Sequence, residues 1–155
     1  MGFLSNLFGG NKEDKALREA MAHIHRILDD EQFQLELVHP AMKAMLESAP
    51  AYDKDPNGTG PFGFTETNPI PVNGPIGQLA YLSRLETQSG QRILFHRLGA
   101  IGTVDVFEAV SFNGAEWFIL FVDLYHPRRS RLTPDSFRFT KDVAQFSGFH
   151  KFCEN

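Results

Sequence analysis

The sequence predicts an α+β fold, in which N-terminal helices pack on an antiparallel meander of four or five strands. Residues 12–48 carry apolar side chains at helical spacing, whereas residues 78–140 carry strand-like runs separated by short connections that contain glycine. Between them, residues 49–77 hold most of the prolines and show no hydrophobic period. The 155 residues are 42% apolar, which is ordinary for one globular domain.

Charge and cysteine content exclude several classes of protein. The chain has 15 Lys and Arg against 19 Asp and Glu, a net charge of −4, which is unlike a nucleic-acid binder. The longest apolar run, Trp117 to Val122, is far shorter than the roughly 18 residues that span a membrane. The single cysteine, Cys153, cannot form an intrachain disulfide, so we expect a cytoplasmic protein.

The N-terminal third is predicted to be helical after a short arm. Residues 1–11 are predicted to be a flexible arm, because Gly9-Gly10 separates a few apolar residues from the remainder. One face of a helix then follows between Lys12 and Asp29, with apolar residues at i, i+3, i+4 and i+7. A second helical stretch is interrupted at His39-Pro40, where we expect a kink or a fresh helix start.

Residues 49–77 form the segment that we call the proline–glycine loop. Phe62 and Phe64 give it apolar anchors, and the prolines between Asn68 and Pro75 fix much of its backbone. A loop of this length is uncommon in a compact domain and is usually either functional or disordered. We expect it to be ordered and to close one end of the fold.

Four strands are predicted after the loop, and the last two form a hairpin. Asn113-Gly114 favours a two-residue type I′ turn, which places Glu108 opposite Ile119. The predicted strands are Leu79–Glu86, Arg92–Leu98, Thr103–Phe112 and Ala115–Tyr125.

The fourth predicted strand is apolar on both alternations from Trp117 to Val122, which indicates a central strand covered on both faces. Helices can cover one face. The other face requires the loop, a second copy of the chain, or the Phe-rich tail. This tail covers residues 141–155, and the phenylalanines in it and just before it are Phe137, Phe139, Phe146, Phe149 and Phe152. A curved sheet that forms a cone over helices, similar to nuclear transport factor 2, is the alternative architecture.

The densest polar cluster follows that strand, and we call residues 126–131 the arginine turn. Arg128, Arg129 and Arg131 suit a carboxylate or phosphate, which a guanidinium can bind with two hydrogen bonds, and His126 could carry a proton near neutral pH. The alternative is structural, with the arginines paired to acids of the chain or fastening the loop. The candidate ligand-binding residues are Asn68, Asn73, Asp123, Tyr125, His126, Arg128, Arg129 and Arg131.

No catalytic set, metal site or cofactor site is predicted. Glu108 and Asp123 share a face but lie roughly 13 Å apart along the hairpin, whereas the carboxyl pairs of glycosidases are about 5–9.5 Å apart. His23 and His25 point to different sides of a helix, and no pair of residues has metal-ligand spacing. Whether the protein is an enzyme stays open.

Three segments carry a resemblance. They are Asn-Pro-Ile-Pro-Val-Asn-Gly-Pro-Ile-Gly at 68–77, Tyr-Leu-Ser-Arg-Leu at 81–85 and Asp-Leu-Tyr-His-Pro-Arg-Arg-Ser-Arg at 123–131. With them the chain resembles a family of small uncharacterised proteins over about residues 66–135. That family has no assigned reaction, cofactor or catalytic residue, so the resemblance implies no mechanism. It implies that the proline–glycine loop and the arginine turn form one unit.

Two classes of function follow. The first is a non-enzymatic binding or interaction module that presents residues 61–77 and the arginine turn to a protein partner. The second is an enzyme or sensor for a small anion, with the three arginines as its clamp, His126 as proton carrier, and Asn68 and Asn73 as orienting groups. His126 and at least two of the arginines converging on an apolar-walled pocket would favour the second class, and arginines spent on internal carboxylates or backbone carbonyls would contradict it. A homodimer is left open.

Overall fold

The structure is a computed structural model that describes residues 6–140, and these residues confirm the α+β class. Predictions for residues 1–5 and for Phe146, Phe149, Phe152 and Cys153 lie outside the described residues. The helices are α1 (Asn6–Asp29), α2 (Glu31–Leu37), α3 (Pro40–Ser48) and α4 (Gly74–Leu82). The strands are β1 (Ile70–Pro71), β2 (Leu85–Thr87), β3 (Ile93–Ile101), β4 (Val104–Ser111), β5 (Trp117–Asp123) and β6 (Phe137–Phe139).

The first three helices lie where the sequence predicts them. Helix α1 runs through Gly9 and Gly10, so the break expected there is wrong, while the flexibility of the arm stays a prediction. The Asp30 carboxylate accepts a hydrogen bond from the Phe33 N–H and caps α2. The fresh start at Pro40 is confirmed, because proline at the first helical position lacks only a donor that would be unpaired anyway. Within residues 6–140, no helix combines the length and apolarity that crossing a membrane needs.

Helix α4 replaces part of a predicted strand. The strand prediction for Leu79–Glu86 is wrong up to Leu82, and only its end belongs to β2. Asn73 precedes the helix, and Pro75 lies in its first turn. Most of α4 is buried, so it lacks the polar face that distinguishes a surface helix from a buried strand in a sequence. The irregular part of the proline–glycine loop therefore ends before β1.

The main sheet has the strand order β1-β5-β4-β3, and β2 pairs with β6 in a separate two-stranded sheet. Strands β3, β4 and β5 form the predicted antiparallel meander. Strand β1 pairs with β5 in parallel, with Ile70 opposite Val122, so the sheet is mixed rather than purely antiparallel. Nothing in this topology confirms the alternative cone.

The β4–β5 hairpin has the predicted register but a different turn. Glu108 lies opposite Ile119, as expected. The type I′ turn is wrong, because the Ser111 N–H donates to the Glu116 carbonyl at 2.9 Å and encloses a longer loop. A type I′ turn needs a left-handed φ at both Asn113 and Gly114. Of these two residues only Gly114 has one, at +73°. The Asn113 side chain instead accepts hydrogen bonds from Ser111 and Ala115 inside that loop.

Residues 6–140 cover the sheet on one face only. Its inner face packs on α4, β2 and β6 in the main core, which contains Ile70, Val72, Tyr81, Leu82, Leu85, Ile93, Phe107, Ala109, Leu120, Val122 and Phe137. On the outer face, Trp117 is 63% exposed and Ile119 is 42% exposed. Within residues 6–140, the prediction that β5 is covered on both faces is therefore wrong.

Candidate functional site

The proline–glycine loop and the arginine turn meet at the end of β5. Asn73 pairs with Tyr125 in an antiparallel bridge. The Val72 N–H donates to the Asp123 carbonyl, and the Ser130 N–H donates to the Pro71 carbonyl, both at 2.8 Å. The two segments thus form one unit, which is the arrangement expected from the sequence.

Asp53, near the start of the loop, holds the arginine turn. Its Oδ1 accepts hydrogen bonds from Arg128 Nη1 at 2.5 Å and from the Arg131 N–H at 2.9 Å. Its carbonyl accepts a third bond from the Ser130 hydroxyl at 2.6 Å. The Arg128 guanidinium holds the pKa of Asp53 below its usual range, because it stabilises the carboxylate. Arg128 therefore fastens the loop, as in the structural alternative.

His126 is buried between two acceptors. Its Nδ1 lies 3.0 Å from the Pro50 carbonyl oxygen, and its Nε2 lies 3.2 Å from Asp123 Oδ2. Because a carbonyl and a carboxylate only accept hydrogen bonds, both contacts are satisfied only when the imidazole carries two protons. Burial lowers the pKa of His126, but the bonds to Asp123 and Pro50 outweigh it and leave that pKa raised. Both ring nitrogens are thus used inside the fold.

The raised pKa of His126 predicts that stability falls as the pH rises. Its folded pKa lies above the unfolded value of about 6.5, so its contribution is complete below that pH and is lost as the pH passes the folded value. Urea unfolding between mildly acidic and alkaline pH should show that the free energy of unfolding falls by at most about 1.4 kcal/mol per pH unit from this group. His126→Gln should remove this component, whereas His23→Gln, at an exposed position, should keep it. A wild-type pH profile in His126→Gln would contradict the assignment.

Asn68 and Asn73 hold the loop rather than face a ligand. Both are fully buried. Asn68 Nδ2 donates to the Gly60 carbonyl, and Asn73 Nδ2 donates to Gln34 Oε1, each at 2.8 Å. Tyr125 is half-buried, and its N–H donates to Asp123 Oδ1. The expected role of the two asparagines as orienting groups receives no support from these contacts.

A cleft of about 500 Å³ lies beside the arginine turn, and we call it the arginine cleft. It lies between the α1–α2 junction, the end of α4 and β6. Its walls are Asp29, Asp30, Glu31, Tyr81, Arg84, Arg129, Ser130, Arg131 and Phe139. Of the eight residues predicted from sequence, it contains Arg129 and Arg131.

Three arginines supply the positive charges and most of the hydrogen-bond donors of the cleft. Arg129 Nη1 donates to the Leu28 carbonyl at 2.8 Å, and its Nε lies 3.5 Å from Glu31 Oε1. Arg84 pairs with Asp29, but its buried Nε has no hydrogen-bond partner among the described residues. Burial lowers the pKa of Arg84, and the neighbouring charge of Arg129 lowers it further. Arg131 is exposed beside them.

The three acids in the wall are already engaged. Asp29 pairs with Arg84, and Glu31 pairs with Arg129. Asp30 caps α2 and lies 3.6 Å from the guanidinium of Arg26. Among residues 6–140, Arg84 Nε and the Arg131 side chain are thus hydrogen-bond donors without a partner, whereas each of the three carboxylates has at least one partner.

Arg84, Tyr81 and Phe139 were not predicted as site residues. The predicted strand over Leu79–Glu86 included the first two, and nothing local connects Arg84 with Asp29. The doublet Asp29-Asp30 between two helical patterns was the available signal, since an acid at such a junction caps the second helix.

Among residues 6–140, no group of three or more His, Cys, Asp or Glu side chains is arranged to hold a metal ion. Comparison of the chain with protein-family models, with curated proteins and with solved structures found no match.

Proposed function

We propose that the protein is a non-enzymatic binding module that holds a small organic anion, a carboxylate or a phosphate, in the arginine cleft. The observation that carries this proposal is the buried Nε of Arg84, which lacks a partner among the described residues and lies beside the like charge of Arg129. Arg84 also lines the arginine cleft, whose volume of about 500 Å³ is within the range of small-molecule sites.

An anion would meet the needs of these donors. A buried donor without a partner costs about 1–3 kcal/mol, and more when it is charged. A carboxylate or phosphate could accept from Arg84 Nε and from Arg131 through charge-assisted hydrogen bonds. Burial and, after it, the charge of Arg129 lower the pKa of Arg84, and the negative charge of the ligand would offset the second of these effects.

The aromatic wall supports a ligand with an apolar body. The rings of Tyr81 and Phe139 meet edge to face, with their centroids 5.3 Å apart. Tyr81 is fully buried and its hydroxyl donates to the Leu132 carbonyl at 2.6 Å, so it supports the wall from behind. The half-buried Phe139 supplies the aromatic surface of the cleft. An aromatic carboxylate or phosphate monoester would combine both contacts.

Arg131→Ala tests the proposal. Benzoate, phenyl phosphate and inorganic phosphate are added to the full chain, and thermal unfolding is followed, because a ligand of the native state must raise the unfolding temperature. We expect a rise with at least one probe and none with neutral benzamide. Arg131→Ala should weaken that binding about tenfold, or about 1.4 kcal/mol, with little change in unfolding temperature without probe, because its side chain is exposed.

Arg138→Ala is the matched control, since it removes the same charge from an exposed pair with Glu86 outside the cleft. It should bind the probes as the wild type does. If both variants bound the probes equally weakly, the loss of one positive charge would explain the result, and this would contradict a site at the arginine cleft. The absence of any shift in the wild type would contradict the proposed function itself.

The hypothesis of a protein partner on residues 61–77 and the arginine turn stays a prediction. Arg128, one of its cations, contacts Asp53 of the same chain, which favours the arginine cleft over that surface.

A further inference from the structure

The outer face of the main sheet carries large apolar side chains that no described residue covers, and we call it the open face. Residues that lie opposite one another in neighbouring strands share a face of the sheet. One row across β3, β4 and β5 is Leu94, Val110 and Trp117, and the next is His96, Glu108 and Ile119. Leu94 is 60% exposed and Ile101, at the far end of β3, is 52% exposed. A shallow groove of about 280 Å³ runs between Leu94, Glu108 and Trp117.

Several large apolar side chains on one sheet face differ from single exposed apolar residues. Single exposed side chains are normal, but contiguous apolar patches mark interaction surfaces. Tryptophan beside a groove is the kind of anchor that dominates binding energy at interfaces. The open face therefore fits a macromolecular partner better than water.

We propose that a second copy of this chain packs on the open face. The centre of the face holds one basic and one acidic side chain, His96 and Glu108, whose Nε2 and Oε2 are 3.7 Å apart. In a two-fold contact the same patch meets itself, so His96 of one copy can face Glu108 of the other. With His96 protonated, a patch with this pair at its centre is complementary in charge to itself.

The distribution of charge over the whole chain supports the same occupant. Residues 1–60, which include the first three helices, contain six basic and ten acidic residues, so this part of the chain carries the net charge of −4. Helix α1 packs on α4, which belongs to the core on the inner side of the sheet. Two copies that meet through their open faces keep these acidic layers apart.

The single tryptophan makes the proposal directly measurable. Trp117 is the only tryptophan of the chain, so its emission reports on this face alone. Sedimentation of the full chain over about a hundredfold range of concentration should show a doubling of mass by mass action. The emission of Trp117 should shift to the blue and become resistant to acrylamide over the same range.

Substitutions locate the contact. Ile119→Lys and Leu94→Lys each place a charge on the open face and should raise the dimer dissociation constant at least about a hundredfold. Met45→Lys is the control, because Met45 is a comparably exposed apolar residue on α3. Circular dichroism establishes that each variant is folded.

A charge-exchange experiment tests the two-fold pairing itself. His96→Glu leaves two acids at the centre, and Glu108→Lys leaves two bases, so each variant alone should remain a single chain. Their equimolar mixture should recover the double mass, because the introduced acid of one variant would then face the introduced base of the other across the interface.

Three results would overturn the proposal. The first is a mixture that stays monomeric, and the second is Met45→Lys acting as strongly as Ile119→Lys. The third is a wild-type chain that stays single throughout the range. In that case, blue and quench-resistant Trp117 emission would assign the face to residues 141–155 of the same chain, and red emission would leave it uncovered.

Discussion

Replacing Gly77 with alanine is expected to lower the free energy of unfolding by about 3 kcal/mol. A Cβ at this position would lie 2.1 Å from Asn73 Oδ1. Asn73 cannot swing aside, because its Nδ2 donates to Gln34 Oε1 and Gln34 in turn donates to the Ile27 carbonyl at 2.7 Å, with both side chains fully buried. Helix propensity alone would favour alanine over glycine by up to about 1 kcal/mol. A loss of stability in Gly77→Ala would therefore show that the clash with Asn73 outweighs helix propensity.

Gly99→Ala is the matched control for Gly77→Ala. A Cβ at Gly99 would meet no described atom within 4 Å, and its φ is not left-handed. Urea unfolding followed by circular dichroism should leave this variant within about 0.5 kcal/mol of the wild type. Adding Asn73→Ala to Gly77→Ala removes the clash, so the double variant should lose less than the sum of the two single losses. Strict additivity would contradict the clash.

Replacing Asp53 with alanine is expected to lower the free energy of unfolding by about 2 kcal/mol at neutral pH. The change removes the acceptor of both Arg128 and the Arg131 N–H, and leaves Arg128, whose side chain is only 22% exposed, without its carboxylate. Glu66→Ala is the control, since Glu66 lies exposed in the same loop and its side chain makes no hydrogen bond or ion pair among residues 6–140. Equal urea midpoints for the two variants would mean that Asp53 does not anchor the turn.

Acid titration gives Asp53→Ala a second readout. The folded pKa of Asp53 is depressed, so its contribution is present above the unfolded value of about 3.9 and is lost as the pH falls through the folded value. The variant should therefore lose less stability between about pH 5 and pH 2 than the wild type does. An unchanged acid profile would show that the Asp53–Arg128 pair contributes nothing to stability.

Elements with a local periodic signal were predictable from the sequence. Helices α1 to α3 and strands β3 to β5 follow apolar spacing that tertiary packing did not override. The hairpin register was predicted although its turn was not, because the longer loop is centred on the same Asn113-Gly114 pair as the two-residue turn. Helix α4 was missed because burial on nearly all sides removes the polar face on which a helix prediction depends.

The candidate site was only partly predictable, for a physical reason. The sequence shows that arginines cluster after β5, but the fold decides which carboxylates reach them. Asp53 binds Arg128, and Glu31 binds Arg129, from segments that lie far away in the chain. Arg84 enters the cleft from the end of a helix that the sequence analysis missed. Its unpartnered Nε is a property of three-dimensional packing and has no counterpart in residue spacing.

The parallel pairing of β1 with β5 determines the order in which parts of the chain can fold. Ile70 and Pro71 complete the sheet edge only when Val122 and Asp123 are present, and the loop is held there by Ser130. The meander forms from neighbouring segments, whereas this edge must close a long stretch of chain at a cost in entropy. During synthesis on a ribosome, residues 50–73 therefore lack their partners in β5 and in the arginine turn until those segments have emerged, so the amino-terminal half cannot complete its folding ahead of the carboxyl-terminal half.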